Sequence, residues 1–527
     1  MNDADAYATL GQRVLRRAWR ALEGPGDPPT YWLVREWLLR ALGFVYAIAF
    51  ASAALQARGL IGTHGILPAE RELDRIAVAM GSRWDGFVAA PSLFWIDAGD
   101  TTLTVVCWIG AALALAVMLG YGHVAILFVL WVVQLSLDHV GQRWWMFGWE
   151  NQLLETGFIA IFLGSTRSLR TLDPRAPPSK IPIVLMRWLI VRIMLGAGLI
   201  KLRGDPCWVE LTCLEFHFET QPIPNPGGWL MHRLPAWMLH GGVVLNHAAE
   251  LVAPFFAFGP RRVRLAAGTV MIAFQATLIA SGNLSFLNWL TIIPCIACFD
   301  DGALRRLTPK RWARVLADVD RMPPPSRVRT IAAGLFAALV LWRSVPVVVN
   351  LVSPGQAMNR SYDRFALVNT YGAFGRVDRE RFELVIEGSD DAVPTDDAKW
   401  MAYELPCKPG DPQRRPCQVS PWHYRLDWLM WFAALDAAHT GTLGDERWMI
   451  PLLDGLLRGE PAVQSLFARV PFPLGPQWIR VSIYRYRFTR AGEPGWWHRE
   501  RLGTFIRPLA EHDPALVEAL AELTAQP

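Results

Sequence analysis

Only five lysines stand among the 52 basic residues of this 527-residue chain, and arginine supplies the rest. One of them, Lys201, closes the apolar run 187–201, which also holds Arg187 and Arg192. Lysine can shed its proton when desolvated and arginine cannot, so Lys201 is a candidate general base. His247 and Glu250 lie three apart, on one face of a helix, and form a candidate acid–base pair. Structural readings compete with each. Lys201 is equally a snorkelling end residue, Arg192 an ion-pair partner, and His247 with Glu250 a hydrogen-bonded core pair. Charges inside apolar segments are costly, so they pair or serve a function. Asp138, His139, Arg143, Glu150 and Glu155 make a second cluster suited to structural ion pairs, with Glu155 the candidate partner of Arg192. A third group, Ser281 to Ser285 with Asn283 inside it and Asn288 beyond, interrupts two apolar runs as either a cavity wall or a short outer turn. Gly196 and Gly198 leave space beside Lys201 for close packing or for a ligand.

Such residues need a scaffold in which burial is enforced. The chain is 52% hydrophobic and 19% charged, against roughly 25% charged in soluble proteins. The shortfall is concentrated in uncharged stretches, and these predict a multi-pass α-helical membrane bundle. About nine apolar helices are expected, at 38–57, 103–119, 123–137, 152–164, 182–202, 243–258, 265–281, 285–299 and 329–350, several of them short. Three regions follow: a tail 1–30, a helical membrane domain 31–350 with outer loops, and a C-terminal soluble α+β domain 351–527. Arginine clusters at 13–20, 167–180, 261–264 and 305–314 all fall on one side of nine crossings. Cytoplasmic loops are rich in Lys and Arg, so the tail is expected in the cytoplasm and the C-terminal domain outside. Residues 1–30 lack the apolar core of a cleavable signal, so the first helix is expected to act as an uncleaved anchor. The tryptophan pairs Trp144–Trp145 and Trp496–Trp497 suit a membrane–water boundary or, in the second case, a soluble core.

In the C-terminal domain, 381–387 and 478–488 have strand composition, while 426–439 and 447–458 read as helices. Cys207 with Cys213, and Cys407 with Cys417, fall in outer segments and are expected as disulfides in an oxidising space. A metal site at Cys207 and Cys213 is the alternative, but the spacing is a weak zinc signal, so no metal is expected. Cys107, Cys295 and Cys298 fall in membrane helices as buried thiols. The net charge is only +5, with no basic face interleaved with aromatics, so nucleic acid is not an expected partner. No phosphate-binding loop, no Gly-x-Ser-x-Gly elbow and no His-Glu-x-x-His motif appears, so the chain is not an obvious lipase or metalloprotease. No cofactor is expected from these residues.

Long stretches resemble the lipase maturation factor family: LIGTHGILP (60–68), FGWENQLLETGF (147–158), RWLIVRIMLGAGLIKLRGDPCW (187–208), FETQPIPNP (218–226), SGNLSFLNWLTIIPCIACFDD (281–301), NTYGAFG (369–375), CKPGDPQRRPC (407–417) and SPWHYRLDWLMWFAAL (420–435). The resemblance covers about 31 to 508. It implies a multi-pass protein, chaperone-like rather than catalytic, that assists the folding, assembly or maturation of exported proteins. Lipase-like clients and membrane lipid are the implied partners. Animal members reside in the endoplasmic reticulum membrane, and the arginine-rich usage here suits a bacterial genome, which implies the inner membrane with a periplasmic outer face. A more distant likeness is to the membrane domain of vitamin K-dependent gamma-carboxylase, through Gly198–Leu199–Ile200–Lys201–Leu202, Trp208, and His247-x-x-Glu250 followed by Pro254. That likeness implies Lys201 as base in an enzyme acting on a quinone or a protein substrate.

Overall fold

A computed structural model describes residues 29–173, 176–315 and 327–525. The tail to residue 28, with its arginine cluster, and Arg175 lie outside the described residues. Among the described residues, six helices are long and apolar enough to cross a membrane. They are α1 (Trp32–Ile61), α2 (Asp100–Met118), α5 (Lys180–Gly204), α6 (Ala236–His247, continued to Phe258 by a π-helical turn and a 3-10 segment), α7 (Arg261–Ser281) and α9 (Arg327–Val352). Three shorter helices run between them: α3 (Val124–Val140), α4 (Gly148–Ile161) and α8 (Leu287–Ile296). These nine elements fall in the nine apolar segments read from the sequence.

Contacts fix which end of each helix is which. At one end, the Asp301 carboxylate accepts the Trp32 and Leu33 amides of α1 at 2.9 and 2.7 Å. There Arg187 of α5 also donates to the Ala297 carbonyl beyond α8, and Arg329 of α9 donates to the Gly164 carbonyl beyond α4. The basic segments 261–264 and 305–311 gather at this end, where Arg261 pairs with Asp300 at 2.6 Å. Such partners, an acceptor at the α1 amides and donors at the carbonyls, satisfy helix-end groups that apolar surroundings would leave unpaired. Helix α5 is the most enclosed, with 72% of its most apolar window buried.

The opposite end carries the C-terminal domain. A four-stranded antiparallel sheet runs in the order β2-β1-β3-β4, with β1 Arg381–Ser389, β2 Met401–Ala402, β3 Trp478–Phe488 and β4 Trp497–Leu509. Helices α10 (Arg425–Thr440), α11 (Met449–Leu457) and α12 (Pro514–Ala525) complete the α+β domain. Strand β1 lies centrally and is buried along nearly its whole length, whereas β4 is an edge strand with charged, exposed residues. Trp497 stacks on Phe488 at 4.4 Å inside this domain. Trp144 and Trp145 are buried too, Trp144 against Trp448 and Trp145 beneath the Arg425 guanidinium. Trp144 and Trp145 therefore serve packing, which corrects their reading as a membrane–water belt, while Trp497 takes the soluble-core role that was the other reading of its pair.

The domain is clamped to the bundle by buried polar bonds. Gln56 of α1 donates to the His423 carbonyl at 2.7 Å and accepts the Arg425 amide at 3.0 Å. Gly59 of α1 lies where a Cβ would strike Ala462 and Leu466, so α1 meets the domain backbone to side chain.

Candidate functional site

Two buried ion pairs hang from α5. Arg192 meets Glu155 of α4 with both its terminal nitrogens, one of them at 3.4 Å. Segment 369–371 closes over the pair. The Asn369 amide and side chain reach Glu155 at 3.1 Å, the Tyr371 hydroxyl donates to it at 2.7 Å, and Arg192 donates to the Asn369 carbonyl at 3.0 Å. A charge taken from water needs this degree of compensation. The pairing read from sequence is present, sealed by a segment from beyond the bundle.

About two and a half turns further along α5, Lys201 donates to Glu250 at 2.6 Å and to Asn246 at 3.0 Å. Asn246 in turn donates to the other Glu250 oxygen at 2.9 Å, and the Trp208 ring lies 4.9 Å from the ammonium. Lys201 is 5% exposed, so its ammonium is held by a carboxylate, an amide and an aromatic face rather than by water. Gly198 is required here, because a Cβ would strike Leu251 and Glu250, and a Cβ on Gly196 would strike the Tyr371 carbonyl. These glycines admit protein neighbours, so of their two readings close packing holds and space for a ligand does not.

The space lies on the other side of Lys201. A cavity of about 1260 Å³ runs from mid-bundle to the underside of the C-terminal domain. Its wall includes Lys201, Glu250, Asn246, His217, Gln275 and Asn288, with apolar residues such as Met194 and Phe274 between them. Two of the candidate residues lie off this wall: His247, the acid–base candidate, and Asn283, the candidate wall residue. His247 turns its Nε2 to the Trp208 carbonyl at 2.9 Å and is absent from the wall. Asn283 clamps the domain instead, donating to the Cys417 carbonyl at 2.7 Å and accepting the amides of Val419 and Ser420 at 2.9 and 3.1 Å. Asn288 does line the cavity, donating to Gln275 at 2.7 Å, and its Oδ1 is buried without a partner.

The sequence reading missed His217. It sits on the short outer helix Leu214–Thr220, edge-on to Phe374 at 4.9 Å, with no hydrogen bond at either ring nitrogen among the described contacts. Burial, and then the Lys201 charge, pull its pKa down to about 4, so the ring is neutral at ordinary pH. Nothing in its sequence neighbourhood marks it; only the fold brings residue 217 to residue 201.

The remaining charges join bundle to domain. Glu150 pairs with Arg425 at 2.8 Å and accepts from Gln134 at 2.7 Å, and Arg143 pairs with Glu446. Both partners come from beyond residue 351, so these pairs fasten the two parts together. Cys207 is bonded to Cys213, and Cys407 to Cys417, while Cys107, Cys295 and Cys298 are buried free thiols. Asp205 lies near the first disulfide, but its carboxylate binds Arg379 at 3.0 Å, and bonded cysteines lack the thiolates a metal requires.

The fold and this site define a multi-pass membrane protein whose C-terminal α+β domain roofs an amphipathic cavity between its helices. The family model for the lipase maturation factor transmembrane domain matches residues 33–306, and that for the lipase maturation factor C-terminal domain matches residues 367–507. Lipase maturation factor 1 of Bos taurus is 44% identical over 92% of this chain and 90% of its own length. The Homo sapiens protein of that name is 43% identical over 92% and 90%, and Homo sapiens lipase maturation factor 2 is 30% identical over 94% and 85%. No solved structure gives a significant match. The chain belongs to the lipase maturation factor family.

Proposed function

We propose that this protein assists the maturation of exported lipases from within a bacterial inner membrane, with its N-terminal tail cytoplasmic and its C-terminal domain periplasmic. The observation that carries the reading is similarity along nearly the whole chain to proteins named for lipase maturation, spanning bundle and domain alike. Two features support the orientation. The described basic segments gather at the end of the bundle away from the C-terminal domain, as cytoplasmic loops do. Both disulfides lie at the domain end, where an oxidising compartment would preserve them. In this account Lys201 is a charge partner of Glu250. The rival, a quinone-linked enzyme with Lys201 as base, gains no support from an ammonium held by two acceptors.

Deleting the gene tests the role. Exported lipase activity should fall and return on complementation, with lipase transcript unchanged. An exported proteome unchanged in amount and activity would contradict it. Reporter fusions after residues 310 and 525 test the orientation, and a cytoplasmic signal at 525 would overturn it.

A further inference from the structure

The cavity has features that lipase maturation by itself does not require. It exceeds the ~300–1,000 Å³ of ordinary small-molecule pockets. Its lining is amphipathic, with apolar residues such as Met194, Phe274 and Trp428 set among polar ones such as Asn246, Gln275 and Asn288. Lys201, Arg203 and Arg376 on its wall are balanced by Glu250, Asp378 and Asp436, so the lining carries no net formal charge. The Asn288 Oδ1 on it, which can only accept, is buried without a partner, and the neutral His217 ring, which offers one donor and one acceptor, faces the same cavity with no hydrogen bond among the described contacts. A buried polar atom left unpaired is costly, so the Asn288 oxygen, with the unbonded His217 ring on the same wall, marks a place for complementary polar atoms.

The mouth shows the source of the occupant. Helix α7 packs against the inner continuation of α6 (residues 248–258) but makes little contact with its outer half. Leu245 of α6 and Val270 of α7 line the cavity while 69% and 46% exposed, and Ala273 on the same wall is also exposed. The two helices therefore part along their outer halves, on a flank of the bundle that hydrocarbon would cover. An occupant arriving by this route comes from the lipid phase.

We propose that the cavity binds a neutral glycerolipid bearing a free hydroxyl, of the diacylglycerol kind, taken in laterally between α6 and α7. The hydroxyl donates to Asn288, an ester carbonyl accepts from His217, and the acyl chains lie along Met194 and Phe274. An anionic headgroup would find no surplus positive charge, because Glu250 already compensates Lys201. This proposal stands independently of which proteins the chain matures.

The test uses full-length protein in detergent and diacylglycerol with brominated chains as the probe. Trp208, Trp428 and Trp431 line the cavity, so bound bromine should quench their fluorescence saturably. His217→Phe keeps the ring between its neighbours and removes only the hydrogen-bonding atoms; affinity should fall roughly three- to ten-fold. Ala273→Trp adds bulk at an exposed position on the mouth and should abolish saturable quenching without affecting folding. Brominated phosphatidylglycerol should compete poorly. Quenching that fails to saturate, or that neither variant alters, would overturn the proposal. So would displacement of the probe by phosphatidylglycerol or a quinone at concentrations where unlabelled diacylglycerol has no effect. A normal deletion phenotype with saturable lipid binding would count against the maturation role alone, and the reverse against the lipid alone.

Discussion

Helix α5 carries two buried ion pairs nine residues apart, and they differ in what surrounds them. Arg192 with Glu155 is enclosed on every side, with an acceptor and donors from Asn369 and Tyr371 closing over it. Lys201 with Glu250 is satisfied just as fully within the protein, yet both residues form part of a cavity wall. A buried pair inside a closed shell fixes the packing of three chain segments. The same chemistry beside a cavity sets the electrostatics that a ligand meets. Burial alone therefore does not distinguish a fastening from a site; what lies on the far side of the pair does.

Breaking the sealed pair should have the largest effect. Arg192→Met leaves Glu155 buried and uncompensated, at a cost of about 3–5 kcal/mol. Thermal melting of purified protein should show it, with Arg192→Met/Glu155→Gln recovering part of the loss. Lys201→Met should cost less, because Glu250 borders a cavity in which water or ligand can solvate it. Equal destabilisation by the two would break the comparison.

Titration sharpens it. Asp427 of α10 is buried in the domain, where it accepts the amides of Cys407 and Lys408 at 2.7 Å, and burial pushes its pKa up to about 6. The folded state then holds a proton that the unfolded state releases near pH 3.8, so this group's contribution to stability declines as pH rises from about 4 to about 6. His217, pulled down to about 4, has the opposite sign: its contribution declines as pH falls from 6.5 toward 4. Asp427→Asn should therefore gain on the wild type as pH rises through that window, and His217→Phe as pH falls through it, each by up to ~3 kcal/mol. Denaturant titrations of the full chain at pH 4, 5.5 and 7 would read both, and slopes of the same sign would contradict the assignment. Smaller still is the loss from Cys407→Ser/Cys417→Ser, which opens a short loop beside the clamp made by Asn283. It should cost roughly 2–3 kcal/mol without dissolving the bundle.

Much of the architecture was legible because membrane burial writes itself plainly into sequence. Apolar runs located all nine helical elements, and Glu155 within one of them pointed to Arg192. The cysteine pairs followed from their outer positions. Strand β1 was readable from its strand-favouring composition, though it is buried along nearly its whole length, and β3 from composition and alternation together. Strand β4 was not, because it lies at a sheet edge and carries Arg499, Glu500 and Arg501 where a core strand would be apolar. Site residues were harder. His247 and Asn283 have the right types in the right stretches, but side-chain direction depends on helix rotation and on a turn, and both point elsewhere. His217 has no local signature, since what makes it a site residue is an approach between outer loop and α5 that spacing does not encode.

The account rests on Lys201 acting through its charge, and one comparison tests that directly. Lys201→Arg and Lys201→Met would be expressed in the deletion strain and exported lipase activity measured against the amount of folded protein in the membrane. Arginine keeps the cation beside Glu250 but cannot supply a neutral amine near neutral pH. The account predicts that Lys201→Arg retains most of the wild-type function while Lys201→Met loses most of it. Equal loss in both, with both proteins folded, would contradict the account and return Lys201 to the role of a base.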